Sequence, residues 1–144
     1  MRYVHGKPFE PEEYILQAGT PLYRVFSNVR EDVTEFNPGE GSNTRFAFFG
    51  DPRIPVLYMA QTEKAAICET TLHEIRTGPG RIMYDDSAER VCAPLGLARD
   101  LRLVSLMGDG LRTLGTEAKY VTGTMASQYK RTVRWSEAAH GGRL

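Results

Sequence analysis

Residues Ile54–Arg76, IPVLYMAQTEKAAICETTLHEIR, carry the reading of the fold. Pro55 is followed by a short apolar run, Val56 to Ala60, which is the pattern of a buried central strand. Thr62 then offers an N-cap hydroxyl, Glu63 and Lys64 fill the first turn, and a helical pattern continues to Arg76. Gly78 and Pro79 end it. At helical spacing Ala65, Cys68, Leu72 and Ile75 form the apolar stripe, and Glu69 borders it. A carboxylate in that position must find partners or shift its pKa, because an unpaired buried charge is costly. Taken alone, Glu69 reads as a side chain that reaches water or pairs with a surface arginine.

Around this strand–helix unit the rest of the chain falls into short pieces. The segment to Gly19 contains Pro8 and Pro11 and reads as a leader of about 20 residues laid on the domain, with a short helix near Glu12–Ala18. Residues 21–144 then form one domain. Leu22 to Phe26 alternate as a strand, with Leu22 and Arg24 on one face and Tyr23 and Val25 on the other. Asn37-Pro38-Gly39 opens a Gly-rich loop that reaches Asn43, and Arg45 to Phe49 follow it. Arg81 to Tyr84 reads as a strand, Leu101 to Leu106 as a better one, and Leu111 to Leu114 as the start of a short helix. Thr124 is placed to cap a last helix, Met125–Ala139, with Met125, Tyr129, Val133 and Ser136 near one face. Short strands mixed with helices, without a βαβ rhythm, argue an α+β fold of small mixed sheets with flanking helices.

Bulk properties narrow the function. The chain has 144 residues, enough for one domain with a real core, and its 18 basic residues balance 18 acidic ones. No overall field draws it to nucleic acid or a membrane surface. The cluster Lys130, Arg131 and Arg134 reads as a solvated helix face, and no stacking-aromatic pattern accompanies it. Cys68 and Cys92 have no metal-ligand spacing, and His5, His73 and His140 make no H-E-x-x-H motif, so no metal is expected. There is no signal-peptide pattern and no apolar run that spans a bilayer, which leaves a cytoplasmic protein as the expectation. The Gly-rich loop lacks a following Gly-Lys-Ser/Thr, so any phosphate would be held by arginine side chains rather than by a P-loop. The informative set is therefore Arg24, Arg45, Tyr58 and Glu69. Each has an ordinary reading: a strand residue, a loop salt-bridge partner, a core tyrosine and a surface acid.

Taken in order, however, P-L-Y-R-V, F-N-P-G followed by T-R-F, V-L-Y-M-A, A-A-I-C-E-T and the later Y-K-R-T-V-R-W-S-E-A-A-H resemble the RES domain. That family is named for an arginine, a glutamate and a serine. The resemblance covers roughly Pro21 to His140. It implies an ADP-ribosyltransferase-like fold and the toxin of a bacterial toxin–antitoxin pair, partnered by an Xre-type antitoxin. The implied substrate is NAD, broken between nicotinamide and ribose with phosphate or water as acceptor; some relatives transfer ADP-ribose to a protein instead. By position, Arg24 and Arg45 would grip the pyrophosphate or incoming phosphate. Tyr58 would pack against the nicotinamide or its ribose, and Glu69 would hold the ribose hydroxyls and stabilise the cation-like sugar. The family's serine lies in a segment C-terminal to the Trp-containing helix, and Ser136 is not equated with it. Relative to the family the chain reads as truncated there, which would leave an edge for a homodimer or the antitoxin to cover and would favour a binding module without activity as the alternative.

Overall fold

The computed structural model describes residues 2–71 and 88–141. They form small antiparallel sheets and helices, the α+β class expected from the sequence, in two compact units. Unit 1 comprises residues 1–16, 37–56 and 100–144; unit 2 comprises residues 17–36 and 57–99. The expected strand Arg81–Tyr84, the end of the helix after Glu69 and its Gly78-Pro79 stop lie outside the described residues.

Unit 1 begins with β1 (Tyr3–Val4) and β2 (Lys7–Pro8), paired antiparallel through a two-residue turn. Both turn residues have positive φ, His5 at 50° and Gly6 at 80°, as the hairpin turns that match strand twist require. The expected helix near Glu12–Ala18 is instead β3 (Glu13–Leu16), paired in register with β6 (Leu101–Val104). Four residues that bury only Leu16 offer a helix no apolar face, whereas a strand finds a ready partner. Three helices follow: α2 (Asp109–Thr113), α3 (Ala118–Val121) and, after a single 3-10 turn at Ala126–Gln128, α4 (Tyr129–His140). The α2 helix ends in a Schellman motif. Gly115, at φ 62°, donates its N–H to the Arg112 carbonyl at 2.8 Å, and Thr116 donates to the Leu111 carbonyl at 3.0 Å. A residue with a Cβ would be strained at that φ.

The core of unit 1 is Val4, Phe9, Leu111, Leu114, Val121, Trp135 and Ala138. The α4 helix turns Thr132, Trp135 and Ala138 inward, three residues apart, and of the residues expected near one face Tyr129, Val133 and Ser136 are half-buried beside them. Met125 is exposed and lies before the helix proper. Trp135, the largest side chain on the helix, sets its inward face, because it has the most apolar area to hide.

Unit 2 is built on β4 (Pro21–Ser27) and β5 (Arg90–Gly96), antiparallel over seven residue pairs. The β4 face that carries Leu22 and Arg24 is the buried one. Beside β4 lies the segment that ends at Ala60: Tyr23 donates to the Ala60 carbonyl at 2.7 Å and accepts from its N–H at 2.9 Å. The predicted buried strand over Val56–Ala60 is thus reduced to isolated bridges, Ala60 with Tyr23 and, within unit 1, Val56 with Asn37. Its residues are half-buried or, at Tyr58, exposed, since no continuous ladder covers them. The α1 helix (Glu63–Thr71) packs on β4 and β5. Thr62 caps it as predicted, accepting the Ala65 N–H at 3.1 Å, a contact of the kind worth about 1 kcal/mol. Among its described residues Ala66 is buried, with Ala65 and Cys68 half-buried beside it.

Candidate active site

Arg24 is the charged residue at the centre of unit 2. It is 6% exposed, on the inward face of β4. Its guanidinium donates to the Val33 carbonyl and stands 5.6 Å from the centroid of the Phe26 ring. Phe26 lies two residues along the same strand, hence on the same face. Burial, helped by the neighbouring charge of Arg30, lowers the Arg24 pKa from its ordinary value, while Glu35 and Asp32 act in the opposite sense. An arginine nonetheless stays charged, and burying that charge is tolerable only with acceptors in reach. The acceptor is the loop after β4, which is itself tied down. Arg30 pairs with Glu35 at 2.7 Å, and Asp32 accepts from the Thr34 N–H and hydroxyl, both at 2.8 Å. Those two bonds hold the Asp32 carboxyl below its usual range.

Tyr58 sits two residues before the Ala60–Tyr23 bridge, with half of its surface exposed. Glu69 is exposed on α1. Its carboxylate makes no ion pair among the described residues, so the expected conflict between a charge and a buried stripe does not arise. Arg24, Tyr58 and Glu69 therefore occupy three elements of one unit: a strand, the segment bridged to it and the helix packed on it. Both cysteines of the unit are free and half-buried. Burial and then Glu63 push the Cys92 thiol up, away from thiolate chemistry.

Arg45 belongs to unit 1. Its Nε donates to the Thr124 hydroxyl at 3.2 Å and its terminal nitrogen to the Thr124 carbonyl at 3.1 Å. The guanidinium carbon is 5.7 Å from the Tyr129 ring centroid. The backbone is held as well: the Thr132 hydroxyl donates to the Arg45 carbonyl, and the Ser136 hydroxyl donates to the Phe46 carbonyl at 2.7 Å. Thr124, expected to cap the last helix, is instead an arginine partner. Nothing local marks Thr132 and Ser136 as holders of the Arg45 loop, although their four-residue spacing puts two hydroxyls on one side of α4. Neither hydroxyl is a nucleophile candidate, since each is spent on a carbonyl.

Unit 2 supplies a buried positive charge on a strand, a half-exposed ring and a carboxylate open to solvent, and unit 1, taken by itself, holds a guanidinium in place on a loop. Among the described residues, no helix is long and apolar enough to cross a membrane. A family model described as the RES domain matches residues 21–143, while no curated protein and no solved structure matches the chain. With most of its length matched, and with Arg24 and Glu69 standing in the motifs that carry the resemblance, the chain belongs to the RES-domain family.

Proposed function

We propose that this RES-domain chain is a toxin-type enzyme that degrades NAD by cleaving the nicotinamide–ribose bond, with phosphate or water as acceptor. The observation that carries the reading is Arg24, a permanently charged group buried on β4 in the same unit as a half-exposed tyrosine and an exposed glutamate. A buried arginine is an expensive residue for stability alone, and a dianionic pyrophosphate is the kind of ligand its planar fork matches. One donor is committed to Val33; a guanidinium has five. The resemblance gives Arg45, locked by Thr124 within unit 1, a phosphate-gripping role as well.

In the reaction the C1′–N bond breaks and its electron pair leaves with nicotinamide, which departs neutral and needs no general acid. The ribose is left as an oxocarbenium-like cation, a phosphate or water oxygen forms the new bond to C1′, and the proton that the nucleophile carried passes to solvent. Glu69 would hold the ribose hydroxyls and stabilise that cation, and Tyr58 would cover the nicotinamide or its ribose. In a cell this activity calls for an inhibitory partner, which the resemblance gives as an Xre-type antitoxin.

Nicotinamide release from NAD, followed with and without phosphate, tests the proposal. Glu69→Gln should lower turnover by roughly 100-fold or more. Its melting temperature should stay at the wild-type value, because the side chain is exposed. No release by the wild-type chain would overturn the reading, and equal losses of turnover and stability would make Glu69 structural. Label from NAD that ends on a protein would replace hydrolysis or phosphorolysis with ADP-ribosyl transfer.

A further inference from the structure

Unit 1 contains a cavity of about 540 Å³ that the NAD reading does not use. It lies among the β1–β2 turn, the Schellman turn after α2, and helices α3 and α4. Its floor is apolar: Val4, Leu114 and Trp135 are all buried. Its walls are basic. Lys7, Arg112 and Arg131 line it, and the single acid among the lining residues, Glu117, is already paired with Lys119 at 2.9 Å.

The basic residues surround the concavity from three elements. Lys7 is fixed, its amine donating to the Gly115 carbonyl. Its stem passes so close to Gly115 that a Cβ there would come within 3.1 Å of the amine. Two of the three ammonium donors remain for another acceptor. Arg112 and Arg131 are exposed and have no ion pair among the described residues. Permanent, uncompensated positive charge around a low-dielectric concavity concentrates the field there and draws anions. Tyr120, 54% exposed, adds an accessible ring to the wall. The volume is that of a site for a small molecule rather than for a single ion.

We propose that this cavity binds a phosphorylated small molecule of nucleotide size. Its phosphates would meet Lys7, Arg112 and Arg131, and its planar part would lie against the apolar floor and Tyr120. Flat aromatic groups bury well against such walls, and phosphate is the acceptor best matched by arginine forks. The proposal does not depend on the NAD reaction: no residue assigned to that chemistry lines the cavity.

Trp135, the chain's only tryptophan, lines the cavity and reports on it directly. Titration of the whole chain with ADP should give a saturable change in its emission. Inorganic phosphate should act more weakly, and adenosine not at all. The Arg112→Gln/Arg131→Gln variant should bind ADP at least tenfold more weakly with an unchanged far-ultraviolet circular dichroism spectrum, since both side chains are exposed. Absence of a saturable ADP signal would overturn the proposal. So would adenosine or inorganic phosphate matching ADP, or a double variant that binds ADP like the wild type.

Discussion

Unit 1 and unit 2 are held together by different forces. Unit 1 has an apolar cluster that runs from the β1–β2 hairpin through α2 and α3 to Trp135 on α4. In unit 2, among the described residues, only Leu22, Arg24 and Ala66 are buried, and one of those three is charged. What organises unit 2 is hydrogen bonding: a seven-pair ladder, the Tyr23–Ala60 bridge, and a loop pinned by Arg24, Arg30 and Asp32. Three of the four candidate site residues belong to unit 2, and the fourth, Arg45, is held by hydroxyls rather than by the apolar cluster. A buried charge such as Arg24 is hard to combine with a continuous apolar core, so the hydrogen-bonded character of unit 2 follows from the cost of burying charge.

The contrast is sharpest at single core residues. Trp135→Ala should cost about 3–5 kcal/mol in urea unfolding followed by circular dichroism. Leu22→Ala in unit 2 should cost about 2 kcal/mol, at the low end for a buried leucine. Equal losses at the two positions would erase the distinction. A smaller effect tests the hydroxyl scaffold around Arg45. Thr132 is wholly buried, and Thr132→Val leaves the Arg45 carbonyl without that donor, so about 1–3 kcal/mol should be lost. No loss would mean that the loop is held by its side chains alone.

The smallest effect concerns the pinned loop of unit 2. The Asp32 carboxyl titrates below its unfolded value because Thr34 donates to its charged form. It therefore adds stability above the unfolded aspartate pKa, and that contribution fades as pH falls through the lower folded value. Asp32→Asn should flatten this part of the stability–pH curve. A curve identical to that of the wild type would show that the Asx turn carries no net stability.

The readable parts of the chain were those where local chemistry and tertiary packing agree. Thr62 announces the start of α1, the alternation in Leu22–Phe26 places Arg24 beside Leu22 on one face, and the motif order from Pro21 onward carries the family. Reading failed where a distant partner decides the outcome. Glu13–Leu16 has a helix-compatible composition but is drawn into a ladder with Leu101–Val104. Val56–Ala60 has the apolar content of a central strand, yet single bridges are all that its neighbours offer. The strand Arg90–Gly96 escaped notice because Pro94 interrupts it. At the candidate site, residue types were legible but their partners were not. Nothing local tells that Arg24 will reach Val33, or that Thr124 will serve Arg45 instead of a helix end.

Pro94 also bears on how the protein meets copies of itself. It pairs with Tyr23, whose own N–H and carbonyl point the other way, to Ala60, so proline's missing donor costs the β4–β5 ladder nothing. The same alternation turns the Pro94 nitrogen toward the outer side of β5, which has no other strand partner among the described residues. A foreign strand seeking to extend this ribbon would meet a gap in the donor row midway along it, and intermolecular sheet growth is discouraged there without any sacrifice inside the fold.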